Sequence, residues 1–458
     1  MTESAAQSPC SYGGRLGLAA PTPSTSQGGL PSRSVRSTRQ SRSKPLALRD
    51  RPWAGLRTCW INCPADPPST DALRAVLHHL ADVRPDHRIF SRLDTRRRTW
   101  TPVEPGELKE WIARLVLDVS EFNGSPEQVV QSWLGSDPGG PPFRLIRAPD
   151  AFVVDSSHAV GDWTYWSYLL NELFAAARED RRPPYGLLIS PTAFPLARTI
   201  GRYYGRNPGR VLRTLRAAPP AASEVAVDEQ ADRSRVEPAV VATRFSSAAQ
   251  AQLAAWRRAN SPQASNGATL FALLCAVLAD SGLPCVPRTS ILIDSRRWLR
   301  PEFRVEGNCA TAALITPGDA RDPVAWTADL SRILESGRPL AATAHAATIS
   351  ALPTALTGSR STRSSCVDTE ITISYYHDAR EGCLLWQPDA DDRRYAALTA
   401  GSEGNSIGVY FYSTGRSLHV CANFDQNRHD RYQLSAIVER VAEAPVHLLT
   451  RHGPDRTA

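Results

Sequence analysis

The sequence predicts a two-lobed α/β protein. Three observations carry that expectation. Apolar residues make up 42% of the 458 positions, enough for one large core or two ordinary ones. Stretches with strand character and stretches with helix periodicity alternate irregularly, in two comparable halves. Between the halves, residues 217–237 are rich in Pro, Ala and acidic side chains and show no apolar period. The expected divisions are a disordered tail at 1–50, an N-terminal lobe at 51–204, a crossover linker at 205–237 and a C-terminal lobe at 238–458.

Residues 1–50 are rich in Ser, Pro, Gly and Arg, with Glu3 and Asp50 the only acids. Such a stretch suits a disordered tail, an early start codon or a transit peptide. Order is expected from near Trp53. Leu56 to Cys63 reads as a strand, and Thr70 and Asp71 as the cap of a helix over 72–83. Residues 88–93 and 99–103 read as strands, 106–120 as a helix carrying Trp111, Leu115 and Leu117, and 125–133 as a short helix. Residues 183–210 are irregular and rich in Pro, Arg and Gly. Pro238 to Phe245 reads as a strand, and Ser246 and Ser247 cap a helix reaching Ala259. Residues 268–280 form a strongly apolar helix that must be buried. Strands follow at 288–294 and 308–316, then helices at 322–337 and 339–356 and a Ser/Thr/Arg loop at 358–365. Strands at 369–375, 406–412 and 417–424 precede a closing helix at 431–442, the last two strands pairing around Thr414-Gly415.

Composition narrows the function. The formal charge is +7, and Lys44 and Lys109 are the only lysines among 53 basic residues, a bias of the kind GC-rich actinobacterial genomes impose. Arginine is spread out apart from Arg96, Arg97 and Arg98, with no interleaving of aromatic and basic side chains, which argues against a nucleic-acid binder. A mild positive field suits acidic partners such as coenzyme A phosphates or an acyl carrier protein. The 9 cysteines include no C-x-x-C, and Cys275, Cys309 and Cys421 stand in apolar runs, as buried thiols of a reducing cytosol do. The longest apolar run, Phe271 to Ala279, is far short of the roughly 20 residues that span a membrane. A cytoplasmic monomer without a metal or a permanently bound cofactor is expected.

The most informative stretch is Phe143 to Ala176, FRLIRAPDAFVVDSSHAVGDWTYWSYLLNELFAA. It reads as strand, turn, strand, loop and helix. The helix is marked by Trp166, Leu169, Leu170, Leu173 and Phe174. His158 therefore leaves a buried strand, and Asp162 stands at the mouth of a helix. A histidine on a loop between rigid elements can be aimed at a substrate, and its ordinary pKa near ~6.5 suits a general base. The aspartate could serve as catalyst, as orienter or as half of a buried ion pair. An H-x-x-x-D string also arises by chance. A second one, His78 to Asp82, lies within continuous helix periodicity and reads as part of a helix face.

A second stretch, Ile291 to Ile315, ends a strand in Asp294-Ser295-Arg296 and opens another after Gly307-Asn308. An arginine at a strand end can reach a carboxylate on the other lobe. A Gly-Asn pair at a strand start marks a tight or left-handed backbone position. Taken alone, the stretch also fits surface arginines and a turn.

Taken together, His158 to Asp162, Asp294-Ser295-Arg296 and Gly307-Asn308 resemble, in order and spacing, the H-x-x-x-D acyltransferase superfamily. That superfamily includes nonribosomal peptide condensation domains, polyketide-associated acyltransferases, wax ester synthases and the plant BAHD enzymes. The resemblance covers roughly residues 55 to 445. It implies the chloramphenicol acetyltransferase-like fold, mixed sheets flanked by helices, with an active-site channel between the lobes. It implies that His158 is the general base of acyl transfer from a thioester, without an acyl-enzyme. Asp162 would point away from substrate and pair with Arg296, and Gly307 and Asn308 would shape the junction of the lobes. The implied co-substrate is an acyl-CoA or a phosphopantetheine thioester on a carrier protein.

The sequence departs from the family pattern in places. Ser157 stands where the double-histidine form has its first histidine, and Trp163 where the family has a glycine beside the channel. The D-F-G-W-G segment of the plant branch is absent; the positional counterpart is Thr372 to Asp378, where Ser374 could bond near the substrate. His377, His419 and His429 have no partner pattern and read as surface or packing residues. The expected function is acyl transfer to a small hydroxyl or amine acceptor in specialised metabolism. The alternatives are a condensation enzyme joining carrier-bound units and a non-catalytic relative that docks a carrier protein.

Overall fold

Two mixed sheets and a small ribbon frame the protein. In chain order the strands are β1 (Lys44–Pro45), β2 (Arg57–Cys63), β3 (Ser91–Asp94), β4 (Thr99–Pro102), β5 (Val116–Asp118), β6 (Phe143–Arg147) and β7 (Phe152–Ser157). Then come β8 (Pro238–Arg244), β9 (Cys285–Asp294), β10 (Ala310–Ile315), β11 (Thr369–Asp378), β12 (Arg394–Ala400), β13 (Ser406–Thr414) and β14 (Leu418–Asp425). One sheet has the order β12-β2-β7-β6-β5, the other β10-β9-β11-β13-β14-β8, and β1-β4-β3 is the ribbon. In the two larger sheets β5 runs parallel to β6, and β11 parallel to both neighbours, while the remaining pairs are antiparallel. The structure, a computed structural model, describes residues 43–137, 139–179, 192, 194–205, 207–216, 236–283, 285–300, 303–351, 369–378, 385–387, 390–400, 406–414 and 416–451. All of them belong to the unit Ser41–Ala458. Residues 1–42 of the expected tail, 217–235 of the expected linker and the expected loop 358–365 lie outside the described residues.

The elements that carry the site form for local reasons. β7 is buried at every position because β2 and β6 flank it, and its Phe-Val-Val start suits a pleated, covered surface. The helix Trp163–Arg178 buries Trp166, Leu169, Leu170, Leu173 and Phe174, the stripe the sequence predicts. Burial of each such side chain contributes roughly 1.5–3 kcal/mol. The stripe belongs to a core shared with the helix Thr70–Val83, in which His78 is half-buried and Asp82 exposed on an ordinary helix face. Ser69, rather than Thr70 or Asp71, caps that helix by accepting the Ala72 amide. In the second lobe the helix Asn266–Asp280 is buried almost throughout and packs with the six-stranded sheet in a separate core.

Several expectations need correction. The helix expected over 106–120 runs only from Leu108 to Leu115; Val116–Asp118 extends and pairs with β6, where a sheet edge offers β-branched valine a partner. Order begins before residue 50: β1 and a 3-10 turn at Leu48–Trp53 precede the first large strand, and Asp50 is fully buried. Helices at Pro195–Gly205 and Pro208–Arg216 occupy part of the stretch read as irregular and the start of the expected linker. The sequence halves are also not the lobes. β12, from the second half, pairs with β2 and places Tyr395, Ala396 and Leu398 in the first core. Among the described residues no helix is long and apolar enough to cross a membrane. Cys309 and Cys421 are buried free thiols, as are Cys59 and Cys63, while Cys275 is half-buried.

Candidate active site

The pairing of β7 with β2 delivers His158 to its place. The last register pair is Arg57 with Ser157, and the His158 amide then donates to the Leu56 carbonyl at 2.8 Å. Ser157 is buried, and its hydroxyl accepts the Ala159 amide at 3.3 Å. Its side chain thus helps to shape the loop. Asp162 then caps the helix Trp163–Arg178 by accepting the Tyr165 amide at 3.1 Å.

Asp162 and Arg296 meet although 134 positions separate them. The Arg296 Nη1 lies 2.8 Å from both carboxylate oxygens. The Cys309 and Ala310 amides add donors to Oδ2 at 2.6 and 3.2 Å. Burial alone would raise the Asp162 pKa, but the Arg296 charge and these donors hold it below the usual carboxylate value. Burial likewise opposes the charge on Arg296, and Asp162 more than restores it. The register of β10 on β9 pairs Ala310 with Asp294, which brings Arg296 and Asn308 side by side. Arg296 also donates to the Gly307 carbonyl at 2.6 Å. The pair thereby ties the helix start of the first lobe to two strand ends of the second. Asp162 makes no hydrogen bond to His158.

His158 Nδ1 lies 2.8 Å from Asn308 Oδ1. The imidazole stacks on Trp53, with centroids 4.6 Å apart and planes at 21°, and meets Trp166 at 5.1 Å on a tilt. Packing between these rings pushes the His158 pKa below the ordinary histidine value, against the opposing pull of the Asp162 charge. Among the described residues Nε2 makes no hydrogen bond. His158 is thus a neutral imidazole at neutral pH with one nitrogen uncommitted.

Asp50, Trp53 and Arg88 are the parts of this site that sequence reasoning missed. Asp50 accepts from the Asn308 amide at 2.8 Å and from Arg88 Nη1 at 3.2 Å. Arg88 in turn lies 2.9 Å from both the Ala159 and Val160 carbonyls and so holds the His158 loop from behind. Beside it, buried His87 bonds the Tyr165 hydroxyl at 2.9 Å, and burial pulls its pKa down to about 4. The local signal was slight: one acid and one tryptophan in an arginine-rich stretch.

The other sequence candidates fall in different places. Gly307 has φ +93°, and a Cβ there would stand 2.7 Å from Asp50 Oδ1 and 2.6 Å from Arg88 Nη1, so glycine is required. Trp163 does not stack on His158. Its ring neighbours are Trp60 and Tyr395 of the five-stranded sheet and Tyr376 and Tyr412 of the other, at 5.6, 6.3, 5.9 and 5.1 Å. It is partly buried and packs against the first core through these rings. Ser374 is buried on β11. His419 and His429 are buried packing residues, and His377 is exposed. Cys309 adjoins the ion pair, and burial pushes its thiol up to about 12. The G-x-S-x-G string at 404–408 includes Ser406, which opens β13, so it does not form the strand-to-helix elbow of a serine nucleophile. Among the described residues no group of three or more His, Cys, Asp or Glu could hold a metal ion.

The sequence matches no protein-family model and no curated protein. Solved structures match over most of the chain. The first condensation domain of the CDA synthetase superposes with a TM-score of 0.55 at 14% identity, over 88% of this chain and 95% of that one. This is the condensation-domain, chloramphenicol acetyltransferase-like fold. The trichothecene 15-O-acetyltransferase of Fusarium sporotrichioides shares it with a TM-score of 0.53 at 12% identity, over 88% and 92% of the two chains. Polyketide synthase associated protein 5 of Mycobacterium tuberculosis gives 0.53 at 15%, over 88% and 97%. These likenesses concern the fold alone.

Proposed function

We propose that the protein is an acyltransferase that moves an acyl group from a thioester to a hydroxyl or amine, with His158 as general base. The observation that carries this reading is the neutral His158 ring, held at Nδ1 and uncommitted at Nε2, on a loop fixed to both lobes. Nε2 takes the acceptor's proton as the acceptor oxygen or nitrogen attacks the thioester carbonyl. The tetrahedral intermediate then expels the thiolate, which takes the proton back from the imidazolium. Asp162 is saturated by Arg296 and three backbone amides, so its work is to hold the loop and not to relay charge. The neighbouring Cys309 stays a protonated thiol at neutral pH, which favours direct transfer over a cysteine acyl-enzyme. The donor is an acyl-CoA or a carrier-bound pantetheine thioester, and the setting is specialised metabolism, by likeness to the CDA synthetase condensation domain, the trichothecene acetyltransferase and the polyketide synthase associated protein.

The test is acceptor-dependent release of free thiol from a panel of acyl-CoA and pantetheine thioesters, offered with small alcohols and amines. Wild-type protein should release thiol, and folded His158→Ala should do so ~10²–10⁴-fold more slowly. An alanine variant that turns over like the wild type removes His158 from the reaction. Turnover only when both donor and acceptor ride on carrier proteins would favour the condensation reading instead.

A further inference from the structure

The helices Pro195–Gly205 and Pro208–Arg216 are anchored to the end of the helix Pro323–Ser336. Tyr203 and Tyr204 donate their hydroxyls to the Glu335 and Gly337 carbonyls at 3.1 and 2.8 Å, and the Thr214 hydroxyl donates to the Ser336 carbonyl at 2.6 Å. These bonds satisfy carbonyls that a helix end leaves without partners. Pro195 and Thr199 are the buried positions of the first helix. With these residues facing the body, helix periodicity sorts the others into two flanks. Leu196 and Ile200 fall on one side of the first helix, Arg198 and Arg202 on the other. Val211 and Leu212 fall on one side of the second, Arg210 and Arg213 on the other.

The solvent side of this pair is unusual. Phe194, just before the first helix, is 82% exposed, and Val211 and Leu212 are 41% and 49% exposed; they are three of the eight large apolar side chains exposed among the described residues. Phe194 also has φ +49°, an uncommon conformation for a bulky residue. Arg198, Arg202 and Arg213 are exposed too, and among the described residues none of them pairs with a carboxylate. The sequence has eight arginines and no acid between Asp180 and Glu224. Glu335 meets the pair through its backbone carbonyl. The surface thus joins protruding apolar side chains to unopposed positive charge. A folded acidic partner would need a pocket cut for Phe194 and a carboxylate set at each arginine. A lipid surface needs neither: its fluid boundary accepts a protruding ring, and its phosphates meet arginines wherever they stand.

We infer that this helix pair is a peripheral docking surface for anionic lipid, with Phe194, Val211 and Leu212 entering the headgroup boundary and Arg198, Arg202 and Arg213 meeting lipid phosphates. The inference does not depend on acyl transfer. Vesicle flotation of the full chain tests it, with vesicles of phosphatidylcholine alone and of equal parts phosphatidylcholine and phosphatidylglycerol. The chain should float with the anionic vesicles, remain behind with the neutral ones, and be released as salt is raised. Replacing Arg198, Arg202 and Arg213 by glutamine should weaken partition ~5-fold for each arginine removed. Phe194→Ser combined with Leu212→Ser should weaken it ~10-fold or more, because apolar burial is lost. All five positions are exposed, so these variants should remain folded. A chain that does not float with anionic vesicles overturns the inference. So does flotation that neither set of substitutions changes, which would place the binding elsewhere in the chain. Loss with the arginine set but not with the serine pair would leave charge attraction alone and also overturn it. Tighter binding to soluble polyglutamate than to the anionic vesicles would assign the surface to an acidic polypeptide instead.

Discussion

Around Asp162 stand one guanidinium and three backbone amides, and around His158 stand two indoles and one carboxamide. The first set stabilises a charge and the second a neutral ring, so the two residues should fail in different ways. Removing one side of a buried ion pair typically costs ~3–5 kcal/mol, because the partner is left without compensation. Asp162→Ala should therefore lower the urea midpoint far more than His158→Ala, which should mainly lower turnover. Equal midpoints for the two variants would refute a structural role for Asp162. Trp53 supplies a second test at this scale. Its indole is one of the two that depress the His158 pKa by excluding water. Trp53→Ala should let the pKa rise toward ~6.5, moving the acid limb of the turnover profile to higher pH. An unmoved limb would mean that Trp53 does not set the ring's environment.

Elements meet at Trp163. It opens the helix Trp163–Arg178, yet its ring neighbours come from four strands: β2, β11, β12 and β13. Replacing it by glycine removes an aromatic wedge between two sheets, and such a deletion costs roughly 3 kcal/mol or more. The expected result is a lower melting temperature with an unchanged range of thioesters. A stable Trp163→Gly protein that accepts new donors would instead place the indole on the substrate path. The segment around the 3-10 turn Leu48–Trp53 is the other instructive element. Its composition reads as a tail, but Asp50 and Trp53 both reach the site. Too few apolar residues stand there to give a periodic signal. The segment is ordered by what it touches, not by its own propensity.

At the scale of the whole molecule, buried neutral histidines set the response to acid. Burial holds His87 at about 4; burial, with the charges of Arg244 and Arg393 adding to it, holds His419 at about 3. Both are neutral when folded and gain a proton on unfolding below the unfolded value near ~6.5, so acid favours the unfolded chain. Stability should be full above that pH, fall as pH drops through it, and go on falling until the folded values are reached. Within the window each group contributes about 1.4 kcal/mol per pH unit. Asp162 acts lower down: its depressed pKa contributes stability that is lost as pH falls below the unfolded value, near 3.8. Urea midpoints at pH 7 and pH 5 should differ accordingly, and His419→Phe should flatten the difference. A variant with the wild-type slope would show that His419 gains no proton on unfolding there.

Local chemistry was enough for much of this protein. The stripe Trp166, Leu169, Leu170, Leu173 and Phe174 specified its helix, and the β-branched run before Ser157 its strand. The H-x-x-x-D string could be placed at the junction because both flanking elements have their own period. The α/β class followed from the alternation of such elements. The tertiary structure decided the partners. β12 sits against β2, and Asp50 against Asn308 across 258 positions, and neither contact leaves a mark in the neighbouring residues. Val116 turned from helix to strand because β6 offered an open edge. A period records which face of an element is buried. Which distant backbone or side chain fills a given hydrogen bond depends on the register of sheets that form only when the whole chain has collapsed.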